Sequence, residues 1–203
     1  MKERNNPLCI KPKLFIKDTK KYGVGVFAGE SIKKGQLIKV LSGEIISLEE
    51  CIKRVKMGEE TMDDPLQIGL RLYIDLDYPS RAFNHSCNPN AGLRNDSELF
   101  ALRDIRGGEE IAYNYSTTVG PNITSSIWTM KCKCGSKDCR KLLGNILTIP
   151  EKTLQQYKKS GALQEWIQWE LEEIERGGDG GLRMAKYEGI TLYIRNEFKN
   201  DQL

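Results

Sequence analysis

The sequence predicts a mainly β fold with short helices, continued at its C-terminal end by a helical extension. Three observations predict it. Over residues 12–46, short apolar runs alternate with glycines and charged pairs, the pattern of small meandering sheets. Residues 79–98 are rich in Pro, Asn and Ser, which marks loop with special backbone. Leu163, Trp166, Ile167, Leu171 and Ile174 form an apolar stripe at helical spacing, interrupted only by Glu170. A chain of 203 residues, 39% apolar and 29% charged, suits one compact domain with an appendage and excludes wholesale disorder.

Taken in order, Lys13–Ile16 and Val24–Ala28 read as strands around a turn at Lys20–Gly23. Leu37 to Ile46 carries further strands after the turn at Lys33–Gln36. Ser47 with Glu50 three residues later is a capping-box pattern, so a short helix containing Cys51, Ile52 and Val55 opens there and ends at Gly58. Gln67–Asp75 returns to strand. Glu98–Asp104 and Glu110–Tyr115 are strands around a turn at Arg106-Gly107-Gly108. Residues 116–128 are a polar connection. Thr148 with Glu151, and Pro150 in the first turn, start a further helix. Gly177–Gly181 is a flexible break, and residues 182–203 have no assignable periodicity. The expected division is an N-terminal arm over 1–12, a core over 13–116, a cysteine segment over 117–145 and a helical extension over 146–203.

The charge balance of +3 is too even to argue for nucleic acid or a membrane surface. No run of about 18 apolar residues exists to span a membrane. Nothing resembling a signal peptide follows Met1, so the expected location is intracellular, cytoplasmic or nuclear, including a host cell entered as a secreted effector. Oligomeric state cannot be read from the sequence. In a reducing compartment, clustered cysteines are metal ligands before they are disulfides.

Six cysteines and a single histidine, His85, set the ligand inventory. Cys132, Cys134 and Cys139 form C-x-C-x4-C, three thiolates on a tight loop. A tetrahedral zinc needs a fourth donor, and the chain beyond offers no cysteine or histidine. Cys9, Cys51, Cys87 and His85 remain. Cys87 is best placed on local grounds, in the loop Asn84-His85-Ser86-Cys87-Asn88-Pro89, whereas Cys51 sits among apolar residues as a buried thiol. Lys131, Lys133, Lys137, Arg140 and Lys141 make a local basic patch, which is a solvated face before it is a nucleic-acid site.

Gly23-Val24-Gly25-Val26-Phe27-Ala28 imitates a dinucleotide fingerprint, with Glu44 about twenty residues on. That motif must open a helix, and Phe27–Gly35 has no helical apolar stripe. The glycines are read instead as a hairpin turn or as close backbone approach to a ligand.

Several segments in order resemble the SET-domain protein-lysine methyltransferases. These are Tyr22–Ala28, Ile32–Gly35, Tyr73-Ile74-Asp75, Arg81–Asn90 against the family's R-F-I-N-H-S-C-x-P-N, and Phe100–Tyr115. The C-x-C-x4-C resembles the post-SET zinc loop, while the cysteine-rich pre-SET region is absent. The resemblance covers residues 13–145. It implies a SET fold of small sheets, with a knot-like threading of 84–90 against 113–115. It implies S-adenosylmethionine (SAM) as methyl donor, bound by Tyr22, Gly23, Val24, Arg81, Asn84 and His85, with the backbone at Lys133 over the adenine. It makes Cys87 the fourth ligand of one structural zinc with Cys132, Cys134 and Cys139.

By the same resemblance Tyr115 is the catalytic tyrosine, and Tyr113 holds the phenylalanine/tyrosine switch position, which implies mono- or dimethylation. The substrate would be a lysine of a histone tail or another basic protein. Three departures stand out. Leu41 replaces a tyrosine that often lines the lysine channel, Asn114 replaces an aspartate, and Ala82-Phe83 replaces Phe-Ile. A catalytically weak SET-fold module, recruiting partners through its C-terminal helix, is the competing reading; Trp166 and Trp169 are the candidate anchors, although Trp166 falls on the apolar stripe and is expected to pack on the domain.

Overall fold

The computed structural model describes residues 12–19, 23–59, 61, 63–177, 183–187 and 190–194. Glycines and short apolar runs give many short strands rather than a few long ones. In chain order they are β1 (Leu14–Thr19), β2 (Gly23–Ala28), β3 (Leu37–Val40), β4 (Gly43–Ser47), β5 (Leu66–Gln67), β6 (Leu72–Leu76), β7 (Asn84–His85), β8 (Ala91–Arg94), β9 (Glu98–Ala101), β10 (Ala112–Tyr113), β11 (Met130–Lys131), β12 (Leu142–Leu143), β13 (Arg183–Tyr187) and β14 (Ile190–Ile194). Three α-helices join them: α1 (Leu48–Met57), α2 (Glu151–Ser160) and α3 (Glu165–Glu175).

The sheets are small. β1 pairs with β2, β3-β9-β8 and β4-β6-β5 form three-stranded antiparallel sheets, and β11 pairs with β12. β7 and β10 are the exception in direction: they pair in parallel, Asn84 beside Ala112 and His85 beside Tyr113. That pairing brings the Asn-His-Ser-Cys loop against the segment that carries the two tyrosines. Asn90 locks it, donating to Glu110 O at 2.7 Å and accepting from Ala112 N at 3.0 Å.

β9 is buried on both faces, as the two-residue period of a strand allows. Leu99 and Ala101 enter the main core with Ile32, Ile38, Leu93, Ile105 and Ile111. Phe100 points the other way, into a second core built by Leu154, Tyr157, Leu163, Trp166, Ile167 and Leu171. Helices α2 and α3 therefore pack on the back of the β sheet. Gln164, fully buried, donates to Gln67 O at 2.9 Å and to Asp96 O at 2.6 Å across that boundary.

The α1 expectation holds in detail. Ser47 accepts from Glu50 N at 3.2 Å, and Gly58 closes the helix at φ 76°. The second helix is corrected. Thr148 does not cap it, because Thr148 ends a preceding 3-10 turn (Ile146–Thr148) capped by Asn145, and α2 begins after Pro150 without a side-chain cap. Gln67–Asp75 is likewise two strands rather than one. The extension is not wholly helical either, since β13 and β14 form an antiparallel hairpin after α3. Trp166 is buried and cannot be an exposed anchor, while Trp169 is 39% exposed. No described helix is long and apolar enough to cross a membrane.

Candidate functional site

Tyr115 begins a 3-10 turn (Tyr115–Thr118) that Asn114 caps by accepting from Ser116 N at 3.2 Å. The cap fixes the backbone, and two further bonds fix the ring. Tyr115 N donates to His85 Nδ1 at 3.1 Å, and Tyr115 Oη donates to Phe83 O at 2.8 Å. The His85 ring meets the Tyr115 ring edge-on at 5.5 Å, and the Tyr113 ring lies 4.9 Å from that of Tyr115. Burial pushes both phenols up, Tyr115 further because Tyr113 and the carboxylates of Asp63, Asp64 and Glu110 oppose a second negative charge. Both therefore carry their protons at neutral pH. Tyr113 Oη has no hydrogen-bond partner among the described residues, although the side chain is more than nine-tenths buried.

Two cavities lie on either side of the His85–Tyr115 contact. One, of about 410 Å³, is lined by Leu66, Tyr73, Tyr113, Tyr115, Ile123 and Trp128, with the exposed Asp63 at its rim. Trp128 Nε1 donates to Asp63 Oδ1 at 2.7 Å, which holds the indole as a wall. The other, of about 440 Å³, is lined by Phe27, His85, Ser86, Asn90, Glu110 and Cys134.

Gly23 and Gly25 stand beside the second cavity for two backbone reasons. Gly23 takes φ 74°, which a side chain disfavours. A Cβ at Gly25 would fall 2.6 Å from Glu110 Oε1 and 2.8 Å from Asn84 Nδ2. Asn84 Nδ2 itself bridges Val24 O at 3.0 Å and Glu110 Oε1 at 2.8 Å. Gly23, Val24, Asn84 and His85 are thus brought together. Arg81 is engaged elsewhere, with Leu76 O at 2.6 Å and Asp75 Oδ1 at 2.8 Å. Lys133 is exposed on the cysteine loop. Tyr22 and Cys9 lie outside the described residues. Leu41, 2% exposed, fills the main core and lines neither cavity.

The cysteine loop folds back onto Cys87. Cys132 Sγ lies 3.8 Å from Cys87 Sγ and 3.6 Å from Cys139 Sγ. A tetrahedral ion with metal–sulfur bonds of 2.3 Å has sulfur–sulfur edges of about 3.8 Å, so the spacing suits one. The tightest donor group contains His85 with Cys87, Cys132 and Cys134, all within 4.8 Å of one another. Hydrogen bonding decides between His85 and Cys139. His85 Nδ1 accepts the Tyr115 N–H, so the neutral ring carries its proton on Nε2, 3.3 Å from Cys87 Sγ. Burial, then the charge of Arg140, holds His85 down to about 3 and keeps it neutral. A protonated Nε2 cannot ligate a metal but can donate to a thiolate. The chemistry of the donor set therefore favours four sulfurs, with His85 supporting one of them.

Phe83 O, Glu110 and Trp128 were not singled out from the sequence. A carbonyl leaves no composition signal, and Trp128 sits in a polar connection without periodicity. Glu110 could have been found as the acidic partner that Asn84 needs.

Residues 23–116 match the family model for the SET domain. This chain carries a SET domain. Several of the relatives it matches are named histone-lysine methyltransferases. It is 36% identical over 154 residues to the histone-lysine N-methyltransferase ASHR3 of Arabidopsis thaliana, covering 69% of this chain and 30% of that one. It is 31% identical over 164 residues to the H3 lysine-9 specific enzyme dim-5 of Neurospora crassa, covering 62% and 49%. A variant-silencing SET domain-containing protein of Plasmodium falciparum is 36% identical over 143 residues, 62% of this chain and 5% of that one. The SET domain chain thus spans less than half the length of each. Among solved structures, the methyltransferase domain of human SETMAR shares the fold, with TM-score 0.51, 24% identity and coverage of 66% and 59%.

Proposed function

We propose that this SET domain transfers a methyl group from SAM to a lysine amine of a basic protein such as a histone, stopping at mono- or dimethylation. One observation carries the reading: the Tyr115 hydroxyl, protonated and tied to Phe83 O, sits on an apolar cavity whose opposite neighbour, across His85, is polar. SAM, when bound, supplies a methyl on a positively charged sulfur. Gly23, Val24, Asn84 and His85, with Glu110, would hold it on the polar side. Tyr22, Arg81 and the Lys133 backbone complete the proposed set. The four cysteines would hold one structural zinc that fastens residues 132–139 over that side.

The apolar side does the rest. A free lysine amine has a pKa near 10.4 and must shed its proton before it can act as a nucleophile. Walls of Leu66, Tyr73, Ile123 and Trp128 disfavour the charged form. Tyr115 Oη and Phe83 O aim the amine, and alignment contributes most of the rate in such a displacement. The unpartnered Tyr113 hydroxyl can hold a water in the space a further methyl would need. Asp63 and Asp64 at the rim suit a basic substrate.

The test is transfer of labelled methyl from SAM to histones and to total lysate, with the labelled band identified. The native chain labels a lysine. Tyr115→Phe lowers the rate by about 100-fold or more without moving the melting temperature. Full activity in Tyr115→Phe would remove the catalytic assignment. No transfer to any protein would favour an interaction module.

A further inference from the structure

Arg140 follows Cys139 and on sequence belongs to a solvated basic patch. Its side chain turns inward instead. Nη2 donates to Asn114 Oδ1 at 2.7 Å and to Ser116 Oγ at 3.0 Å. These are the two neighbours of Tyr115, 3% and 0% exposed. The backbone N–H of Arg140 donates to Cys87 Sγ at 3.4 Å. Asn114 Nδ2 is held from the far side by Tyr157 Oη of α2, at 3.3 Å.

His85 makes the matching connection. It takes the Tyr115 N–H on Nδ1 and turns Nε2 to the same sulfur at 3.3 Å. Tyr115 therefore hangs between two arms, His85 and Arg140, and both arms end on Cys87 Sγ. A guanidinium is rigid and planar, so one donor group can span two acceptors in a fixed geometry, which a lysine ammonium cannot reproduce. Asn114 presents a neutral oxygen where an aspartate would present a charge. The Arg140 contact is accordingly shared with Ser116 rather than fixed by one strong ion pair.

We propose that Arg140 is a positioning residue, which sets the register of Tyr115 and transmits to it whether the Cys87 thiolate is held by a metal. The proposal rests on the reading of Tyr115 as the residue that aims the amine. A metal-held thiolate is an acceptor fixed in space. Once released, the sulfur can rotate, and both arms slacken together. Displacement of a positioning hydroxyl by about 1 Å is enough to cost about 100-fold in rate.

The experiment uses the full chain labelled with 3-fluorotyrosine. The Tyr115 line is assigned by its loss in Tyr115→Phe. In Arg140→Met the zinc content stays native and the melting temperature falls by a few degrees as Asn114 Oδ1 and Ser116 Oγ lose a buried donor, while the Tyr115 fluorine line shifts or broadens. Its kcat falls about 100-fold, with KM for peptide and for SAM within about twofold. Arg140→Lys, which keeps the charge and loses the fork, falls between. Ser116→Ala, which removes one of two acceptors, moves the line slightly in the same direction. Stripping the metal with a chelator shifts the line in the native chain and shifts it less in Arg140→Met, where only the His85 arm remains. An equal shift in both overturns the role of Arg140 as a transmitter. An unmoved Tyr115 line in metal-loaded Arg140→Met overturns the proposal. So does loss of the metal from Arg140→Met, which would make the residue a guard of the metal alone. Should Arg140→Met not fold, Arg140→Lys and Ser116→Ala decide by the same line. Because the fluorine line needs no turnover, a chain without methyl transfer still answers the question of coupling, and the two readings fail separately.

Discussion

The two cavities either side of the His85–Tyr115 contact differ little in volume, about 410 against 440 Å³, and are opposite in chemistry. One is walled by tyrosines, a tryptophan and aliphatic side chains. The other is walled by an imidazole, carboxylates and an amide. The difference teaches how a reaction between two charged partners can be divided. Under the proposed reading the amine must lose its charge before it reacts, and a largely apolar chamber favours that. Under the same reading a sulfonium would arrive charged and leave as a neutral thioether, so a polar chamber with Glu110 beside Asn84 suits the charged donor. Tyr115 lines the first and His85 the second, and the two rings touch edge-on.

Mutations should separate the chambers. The largest effect is expected at the polar side's outer wall. Cys132→Ser removes the sulfur that lies next to both Cys87 and Cys139, and bound zinc falls from about one per chain to near zero, read by metal analysis. SAM binding is lost with it, while the core sheets keep their melting transition. Glu110→Gln comes next. It weakens the carboxylate's hold on Asn84 and raises KM for SAM about tenfold, with KM for peptide unchanged. Equal rises in both constants would mean that the chambers are not independent. Tyr113→Phe acts on the apolar side alone. It shifts products toward trimethyl-lysine in mass spectra, with the first transfer within about threefold of native.

The smallest effect lies outside both chambers. Burial pushes Asp96 up to about 7 from an ordinary value of 3.8, against the backbone N–H groups of Glu165 and Trp166 that favour its charge. The folded chain then holds a proton that the unfolded chain has released, between about pH 4 and pH 7. Stability from this group falls as pH rises through that window. The melting temperature of the native chain therefore drops from pH 5 to pH 8 more than that of Asp96→Asn, and neither KM changes. A steeper drop in Asp96→Asn would reverse the sign.

Much of this was legible in the sequence, and for a physical reason. Asn84–Cys87 and Tyr113–Tyr115 carry chemistry that few residue types can supply, so their order survives in the letters. The meeting of these segments through β7 and β10 was legible too, but only through the resemblance to a family. Walls were harder. Trp128 and Ile123 come from a stretch with no period, and only tertiary contact decides which way they face. Thr148 misled because capping patterns are local. Asn145 wins the cap by bonding Leu147 N while its amide reaches Pro121 O and Ile123 O, and no local rule sees those carbonyls. The apolar stripe of α3 hid Gln164 just before it, a buried amide bridging to β5.

That amide bears on modular exchange. Phe100 on one side of β9 and Gln164 before α3 make the back of the SET domain and the C-terminal helices a single piece of masonry. A chain cut after residue 145 would bare Phe100 to water and leave the carbonyls of Gln67 and Asp96 without their donor. The matched region therefore cannot be lifted out as a cassette and grafted onto a relative's flanks. Any recombinant that swaps it must carry α2 and α3 along, or redesign the outer face of β9 to stand alone.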